Sequence, residues 1–128
     1  MESGPKLTLR IDFDTGVRLG PGKVELLEGI ARHGSIRAAG AAMGMSYRRA
    51  WLLADEINCM FREPSVHTRH GGKAGGGAGL TPYGEALLAR CRRMEEAARL
   101  ALRADLAALE QERDPAFVPD GKGDQAPR

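Results

Sequence analysis

Cysteine and aromatic residues are both scarce in this 128-residue chain. Cys59 and Cys91 stand far apart without CxxC spacing, which excludes a disulfide framework and a cysteine-based metal knuckle. Both fall in amphipathic stretches, where a buried, reduced thiol is the expectation. Aromatics make up only 5% of the residues, favouring thin helical layers over a large sheet. No apolar run approaches the ~20 residues that a membrane span needs. The first six residues, MESGPK, lack the apolar core of a signal peptide. A cytoplasmic protein without membrane association is expected.

The chain also lacks a recognisable catalytic constellation. No Ser-His-Asp, Cys-His or paired-carboxylate arrangement has distinctive spacing. Gly72-Lys73 is followed by Ala74, whereas a phosphate-binding loop needs Ser or Thr there and a glycine further upstream. A dinucleotide fingerprint beginning at Gly75 would need glycine where Leu80 stands. His67 and His70, in HTRH, have no Cys or carboxylate cluster beside them to complete a metal site. The chain is therefore expected to be no enzyme, and to carry no metal and no cofactor.

What is present is uneven charge and strong helix punctuation. Net charge is only +2, yet residues 32–73 hold seven Lys/Arg against three Asp/Glu, which puts the basic surface on one part of the chain. Residues 7–13 (LTLRIDF) alternate apolar and polar with the period of a half-buried strand, and Asp14-Thr15-Gly16 turns the chain. Pro21 suits a first helical position; Val24, Leu27, Ile30 and Ala31 then form an apolar stripe, with Leu26 beside it, and Gly34 is a stop. This first helix reads as scaffolding.

The centre of the sequence is residues 35–50, SIRAAGAAMGMSYRRA. Ser35 is a candidate N-cap for a short helix through Met43, and Ser46 for another running to about Phe61. Ala38, Ala39, Gly40, Ala41 and Ala42 give a surface small enough for two helices to cross closely, at a helix-propensity cost of ~1 kcal/mol for Gly40. Gly44 supplies the turn. In the later helix Ala50, Leu53, Ala54, Ile57, Met60 and Phe61 recur at helical spacing, leaving Tyr47, Arg48, Trp51, Leu52 and Asp55 towards the other side. That is a helix-turn-helix whose second helix begins with the basic pair Arg48-Arg49. Recognition helices meet base edges with their N-terminal residues, so Arg48 or Arg49 can pair with guanine, and Ser46 and Tyr47 with phosphates or bases. Trp51 reads as a half-buried wedge. Residues 65–70 (SVHTRH) and the return at Leu80 form a β-hairpin around a glycine-rich tip, where Thr68, Arg69, His70 and Lys73 surround glycine N–H groups that can approach phosphates closely.

Thr81-Pro82 caps and opens a helical pattern through about Glu112. One seam holds Leu87, Cys91, Met94, Ala98 and Ala101, continued with a slight drift by Leu102, Leu106 and Leu109. A single helix of that length would run ~45 Å, more than so small a domain can cover, so its distal half is expected to meet a second copy. Residues 113–128 are rich in proline, glycine and charge and read as a disordered tail. Three segments result: a flexible tail (1–6), a DNA-binding and dimerisation domain (7–112) and a second tail (113–128).

On residues 34–51 (GSIRAAGAAMGMSYRRAW) and 71–84 (GGKAGGGAGLTPYG) the chain resembles the N-terminal DNA-binding domain of ModE-type molybdate-responsive regulators, and more distantly the LysR-type winged helix. The glycine-rich wing joined to the LTxYG motif is the specific part. The resemblance implies a mainly α winged helix-turn-helix and a homodimer on palindromic double-stranded DNA. Ser35 and Arg37 with Ser46, Tyr47, Arg48 and Arg49 then fall on the reading helices, and Thr68, Arg69, Gly72 and Lys73 on the wing. It implies dimerisation through the first and last helices, the latter carrying Leu87, Cys91, Met94, Ala98, Leu102 and Leu106. Full-length members add a C-terminal molybdate-binding portion of small β-barrel domains. This chain ends in a polar tail, so it is expected to bind no molybdate itself. Gly40 stands where the family has Ala and Arg49 where it has a smaller residue. The competing expectation is a protein-interaction module that dimerises with another regulator through its last helix and modulates it without reading DNA.

Overall fold

The computed structural model describes residues 4–69 and 77–119. Expectations for 1–3, for the wing tip at 70–76 and for 120–128 lie outside the described residues. The element order is β1 (Ile11–Asp12), β2 (Arg18–Leu19), α1 (Pro21–His33), α2 (Ile36–Ala42), α3 (Tyr47–Met60), β3 (Val66–Arg69), β4 (Gly77–Leu80), α4 (Pro82–Ala101) and α5 (Arg103–Glu112). The strands form two antiparallel pairs, β1 with β2 and β3 with β4. This is a mainly helical winged helix-turn-helix.

Local signals set the helix bounds. Pro21 opens α1, and Gly34 closes it in the left-handed region at φ 76°, its N–H donating to the Ile30 carbonyl. Ser35 and Ser46 cap α2 and α3 by accepting the N–H of Ala38 and Arg49 at 2.9 and 3.1 Å. Gly44, also at φ 76°, makes the turn between them.

The core is one cluster contributed mainly by the first three helices: Val24, Leu26, Leu27 and Ile30 of α1, Ile36 and Ala39 of α2, and Ala50, Ala54 and Ile57 of α3. Ala31, expected on the α1 stripe, is exposed, and Lys23 is buried instead. The Lys23 ammonium is paired: it donates to the Arg18 carbonyl at 2.5 Å and to Glu56 Oε2 at 3.0 Å, so it ties β2 to α3 across the start of α1. Glycine at 40 lets α2 and α3 approach. A Cβ there would lie 2.6 Å from the Cβ of Ala50.

Two expectations are corrected. The strand expected over 7–13 shrinks to a two-residue ladder, because the turn at Gly16 folds the chain back onto Arg18 and Leu19 and no third strand pairs the earlier residues. The alternation survives as burial: Leu7, Leu9 and Ile11 are half-buried and their neighbours exposed, and Leu9 and Ile11 line a small cleft with Cys91 and Met94 of α4. The last helix is not continuous. It is interrupted at Leu102 (φ −101°, ψ 11°), near where the chain runs out of core: α4 buries Leu87 and Cys91, and α5 buries nothing. Of the two cysteines only Cys91 is buried; Cys59 is exposed. Burial pushes the Cys91 thiol up from its ordinary pKa, with Glu95 adding to the effect, as befits a packing residue.

The LTxYG motif has a packing reason. Thr81 accepts the Gly84 N–H and donates its hydroxyl proton to the Pro64 carbonyl at 2.7 Å, while its own N–H donates to the Ser65 carbonyl. Gly84 rests on that same carbonyl, and a Cβ there would come within 2.1 Å of the oxygen. Gly84→Ala therefore drives a methyl into backbone and should cost about 3 kcal/mol or more in urea unfolding. Gly40→Ala sets a methyl against the Cβ of Ala50, a contact that no rotamer relieves, so α2 and α3 must part slightly and, even with helix propensity regained, it should cost about 1–3 kcal/mol. The Ser65 hydroxyl, fully buried, has no hydrogen-bond partner. Ser65→Ala should leave the unfolding midpoint unchanged or raise stability by about 1 kcal/mol.

Candidate nucleic-acid interface

The exposed side of α3 carries Tyr47, Arg48, Arg49, Trp51, Leu52 and Asp55, and the opposite side is packed. α2 adds Arg37, exposed in its first turn. Neither α2 nor α3 has an acidic residue in its first turn. A helix N-terminus bears partial positive charge and is stabilised by anions, so each cation placed there costs about 0.3–1 kcal/mol. Three arginines nonetheless stand in these two first turns. No carboxylate lies within ion-pair distance of Arg37, Arg48 or Arg49 among the described residues. Elsewhere the pattern differs: Arg10 and Arg18 meet Asp12, Lys23 meets Glu56, and Arg92 bridges Glu28 and Glu95. Positive charge is thus held, unneutralised, at the two positive helix ends that share one surface.

Ser35 and Ser46 spend their oxygen lone pairs on capping and keep their hydroxyl protons. The Arg37 guanidinium lies 4.1 Å from the Tyr47 ring centroid. Trp51, expected as a half-buried wedge, is instead 40% exposed, and its indole N–H donates to the Tyr47 hydroxyl at 2.6 Å.

The wing flanks this surface. Its register pairs His67 with Gly79, Thr68 with Ala78 and Arg69 with Gly77. The two glycines are beds for the side chains opposite: a Cβ at Gly77 would lie 2.9 Å from Arg69 Nη2, and one at Gly79 would lie 3.0 Å from His67 Nε2. Arg69 can therefore lie flat across β4. Ala78 N–H donates to the Gly34 carbonyl at 2.8 Å, fastening β4 to the end of α1. At the other side the Asn58 carboxamide oxygen accepts from Ser65 and Val66 N–H at 2.8 Å, and its NH₂ donates to the Val66 carbonyl at 2.9 Å, fastening β3 to α3. Sequence reasoning missed Asn58 and Lys23. A lone Asn near a helix end carries no local signal, although the Gly-Ala-Gly alternation at 77–79 could have been read as room for opposing side chains.

Of the site residues expected from sequence, Ser35, Arg37, Ser46, Tyr47, Arg48 and Arg49 come together at the start of α2 and α3. Thr68 and Arg69 stand exposed on β3. Gly72 and Lys73 lie outside the described residues. Of the seam residues, Leu87 and Cys91 are buried in the chain's own core and so are not free to meet a partner. Met94 and Leu102 are exposed, and Ala98 and Leu106 half-buried. Among the described residues no three metal-ligating side chains converge, and no helix is long and apolar enough to cross a membrane.

The class defined by this fold and surface is the winged helix-turn-helix with a basic reading face. Comparison with known proteins narrows it. The molybdenum-pterin-binding protein MopB of Rhodobacter capsulatus is 49% identical over 75 residues, 59% of this chain and 28% of that protein. The molybdenum transport protein ModE of Azotobacter vinelandii is 39% identical over 87 residues, 68% of this chain and 32% of that protein. The DNA-binding transcriptional dual regulator ModE of Escherichia coli K12 is 41% identical over 68 residues, 53% of this chain and 26% of that protein. No protein-family model matches the chain. Over the matched segment the chain is homologous to the ModE and Mop proteins, with the similarity of a ModE-type N-terminal domain. It spans no more than 32% of the length of these curated relatives. They are regulators and molybdenum-related transport and binding proteins, not enzymes.

Arg49 occupies the third helical position after the Ser46 cap, where a glutamate would complete a reciprocal capping box. Arg49→Glu should therefore stabilise the protein by about 0.5–1 kcal/mol, seen as a higher thermal unfolding midpoint at low salt, with the gain shrinking as salt is added.

Proposed function

We propose that this chain is a dimeric, sequence-specific double-stranded DNA-binding regulator of molybdenum-related genes, working in the cytoplasm. The observation that carries the reading is the set of unpaired arginines, Arg37, Arg48 and Arg49, held at the positive ends of two helices against their stability preference. A polyanion relieves that cost. The relatives supply the second support, since the Escherichia coli one is a DNA-binding transcriptional regulator. In this docking geometry the start of α3 enters the major groove, α2 crosses the backbone and the wing meets flanking phosphates.

Dimerisation is supported by the far end of the chain. Met94, Leu102 and Leu109 are exposed, the last at 63%, along a helical pair whose outer member, α5, has no buried residue. Two copies joined there present two reading heads, which a palindrome with half-sites about 34 Å apart accommodates.

Selection of bound duplexes from a random-sequence pool, followed by a salt titration on the enriched sequence, tests this reading. A two-fold-symmetric site should emerge, and log K should fall linearly with log salt at about 0.9 per phosphate neutralised. Arg48→Ala or Arg49→Ala should each cost about 1–3 kcal/mol if its guanidinium reads a base, and Arg49→Glu should abolish binding while raising stability. An unenriched pool, or binding indifferent to salt, would overturn the proposal.

A further inference from the structure

Tyr47, Arg37 and Trp51 form one exposed unit at the junction of α2 and α3. A phenol oxygen can accept while its proton is donated. Here the oxygen accepts from the Trp51 indole at 2.6 Å, so the direction left for the O–H is outward, and no acceptor for it lies among the described residues. A hydroxyl that accepts from one donor becomes a stronger donor itself. The Arg37 guanidinium, 4.1 Å from the ring centroid, adds positive charge beside it without any carboxylate partner. Trp51 has spent its single polar atom within this unit. Two groups remain to act outward, a directed neutral O–H and a cation next to it, which is the donor set that holds an anionic phosphodiester oxygen.

Position chooses between backbone and base. Arg37 belongs to the first turn of α2, the helix that crosses the DNA backbone in this geometry, and its guanidinium lies over the Tyr47 ring, which draws Tyr47 out of the α3 start towards that helix. Resting on the DNA-binding reading above, we propose that Arg37 and Tyr47 clamp a backbone phosphate, and that Trp51 is the positioning residue that aims the Tyr47 hydroxyl.

Two measurements test the clamp. Trp51 is the only tryptophan, so the free protein gives one indole N–H resonance in a proton–nitrogen NMR spectrum. In Tyr47→Phe that resonance should shift and exchange faster with water; an unmoved resonance would overturn the positioning role. Fluorescence anisotropy would then compare a mixed-sequence duplex with the best duplex recovered by selection. Tyr47→Phe and Trp51→Phe should each weaken binding about tenfold, equally on both duplexes. The double variant should bind no worse than the weaker single one, because Trp51 acts through the hydroxyl. Arg37→Gln should weaken both and lower the salt slope by about one, while Tyr47→Phe leaves the slope unchanged. All three side chains are exposed, so the unfolding midpoints of Tyr47→Phe and Trp51→Phe should stay with the parent protein, and that of Arg37→Gln should not fall, since a cation leaves the start of α2. Additive losses, no loss in Tyr47→Phe, or a loss confined to the selected duplex, which would assign Tyr47 to a base, would each overturn the clamp and leave the DNA-binding reading standing. A parent protein that binds neither duplex overturns both.

Discussion

The backbone at Ser65 is the contact on which the rest of the structure depends. Three elements, α3, α4 and β3, meet at a residue with no accessible surface. Asn58 of α3 takes its N–H, the cap of α4 donates to its carbonyl, Gly84 of α4 rests on that carbonyl, and β3 departs from it. The contacts with Thr81 and Gly84 are backbone to backbone and cannot yield by a change of rotamer, and the Asn58 side chain is fixed by three hydrogen bonds to the main chain of Ser65 and Val66. The direction in which the wing leaves, the angle at which α4 starts and the position of the last turn of α3 are therefore determined together. The unsatisfied Ser65 hydroxyl shows that the site is organised around the main chain rather than the side chain.

This knot explains how a hairpin of two four-residue strands, too small to be stable alone, becomes a fixed part of the surface. It is held at one side by Asn58 and at the other by the hydrogen bond from Ala78 to the Gly34 carbonyl. Gly34 is also the residue that ends α1 and precedes the cap of α2. The wing is thus attached both to α3 and to the junction of α1 and α2.

Much of this was legible in the sequence because its causes are local. Pro21, Gly34, Ser35, Gly44, Ser46 and Thr81-Pro82 act within a few residues of themselves, and the element bounds they imply match the structure closely. The apolar periodicity of α3 likewise predicted which side packs. Lys23 failed that logic: its charge argues for solvent, and only the distant Arg18 carbonyl and Glu56 make its burial tolerable. Trp51 failed in the opposite sense, since its size argues for burial while its indole N–H finds a partner at the surface. The seam from Leu87 to Leu106 looked uniform because periodicity records only that a face is apolar. Whether that face meets the chain's own core, as at Leu87 and Cys91, or lies outside it, as at Leu102, depends on where the core ends.

The same separation of local from distant causes bears on what the basic residues are for. Left to local stability, the first turns of α2 and α3 favour acids, and the third position after Ser46 favours glutamate most of all. The sequence places arginine there instead and supplies no carboxylate to compensate, although it pairs Arg92 twice on α4. The DNA-binding reading proposed above accounts for this arrangement, since a polyanion supplies the charge that the two neighbouring helix ends lack. The close crossing at Gly40 and Ala50 sharpens this: it brings Arg37 of α2 over Tyr47 of α3, adding a third cation to an end already carrying two. The helix crossing thus gathers three cations, Arg37, Arg48 and Arg49, at one surface.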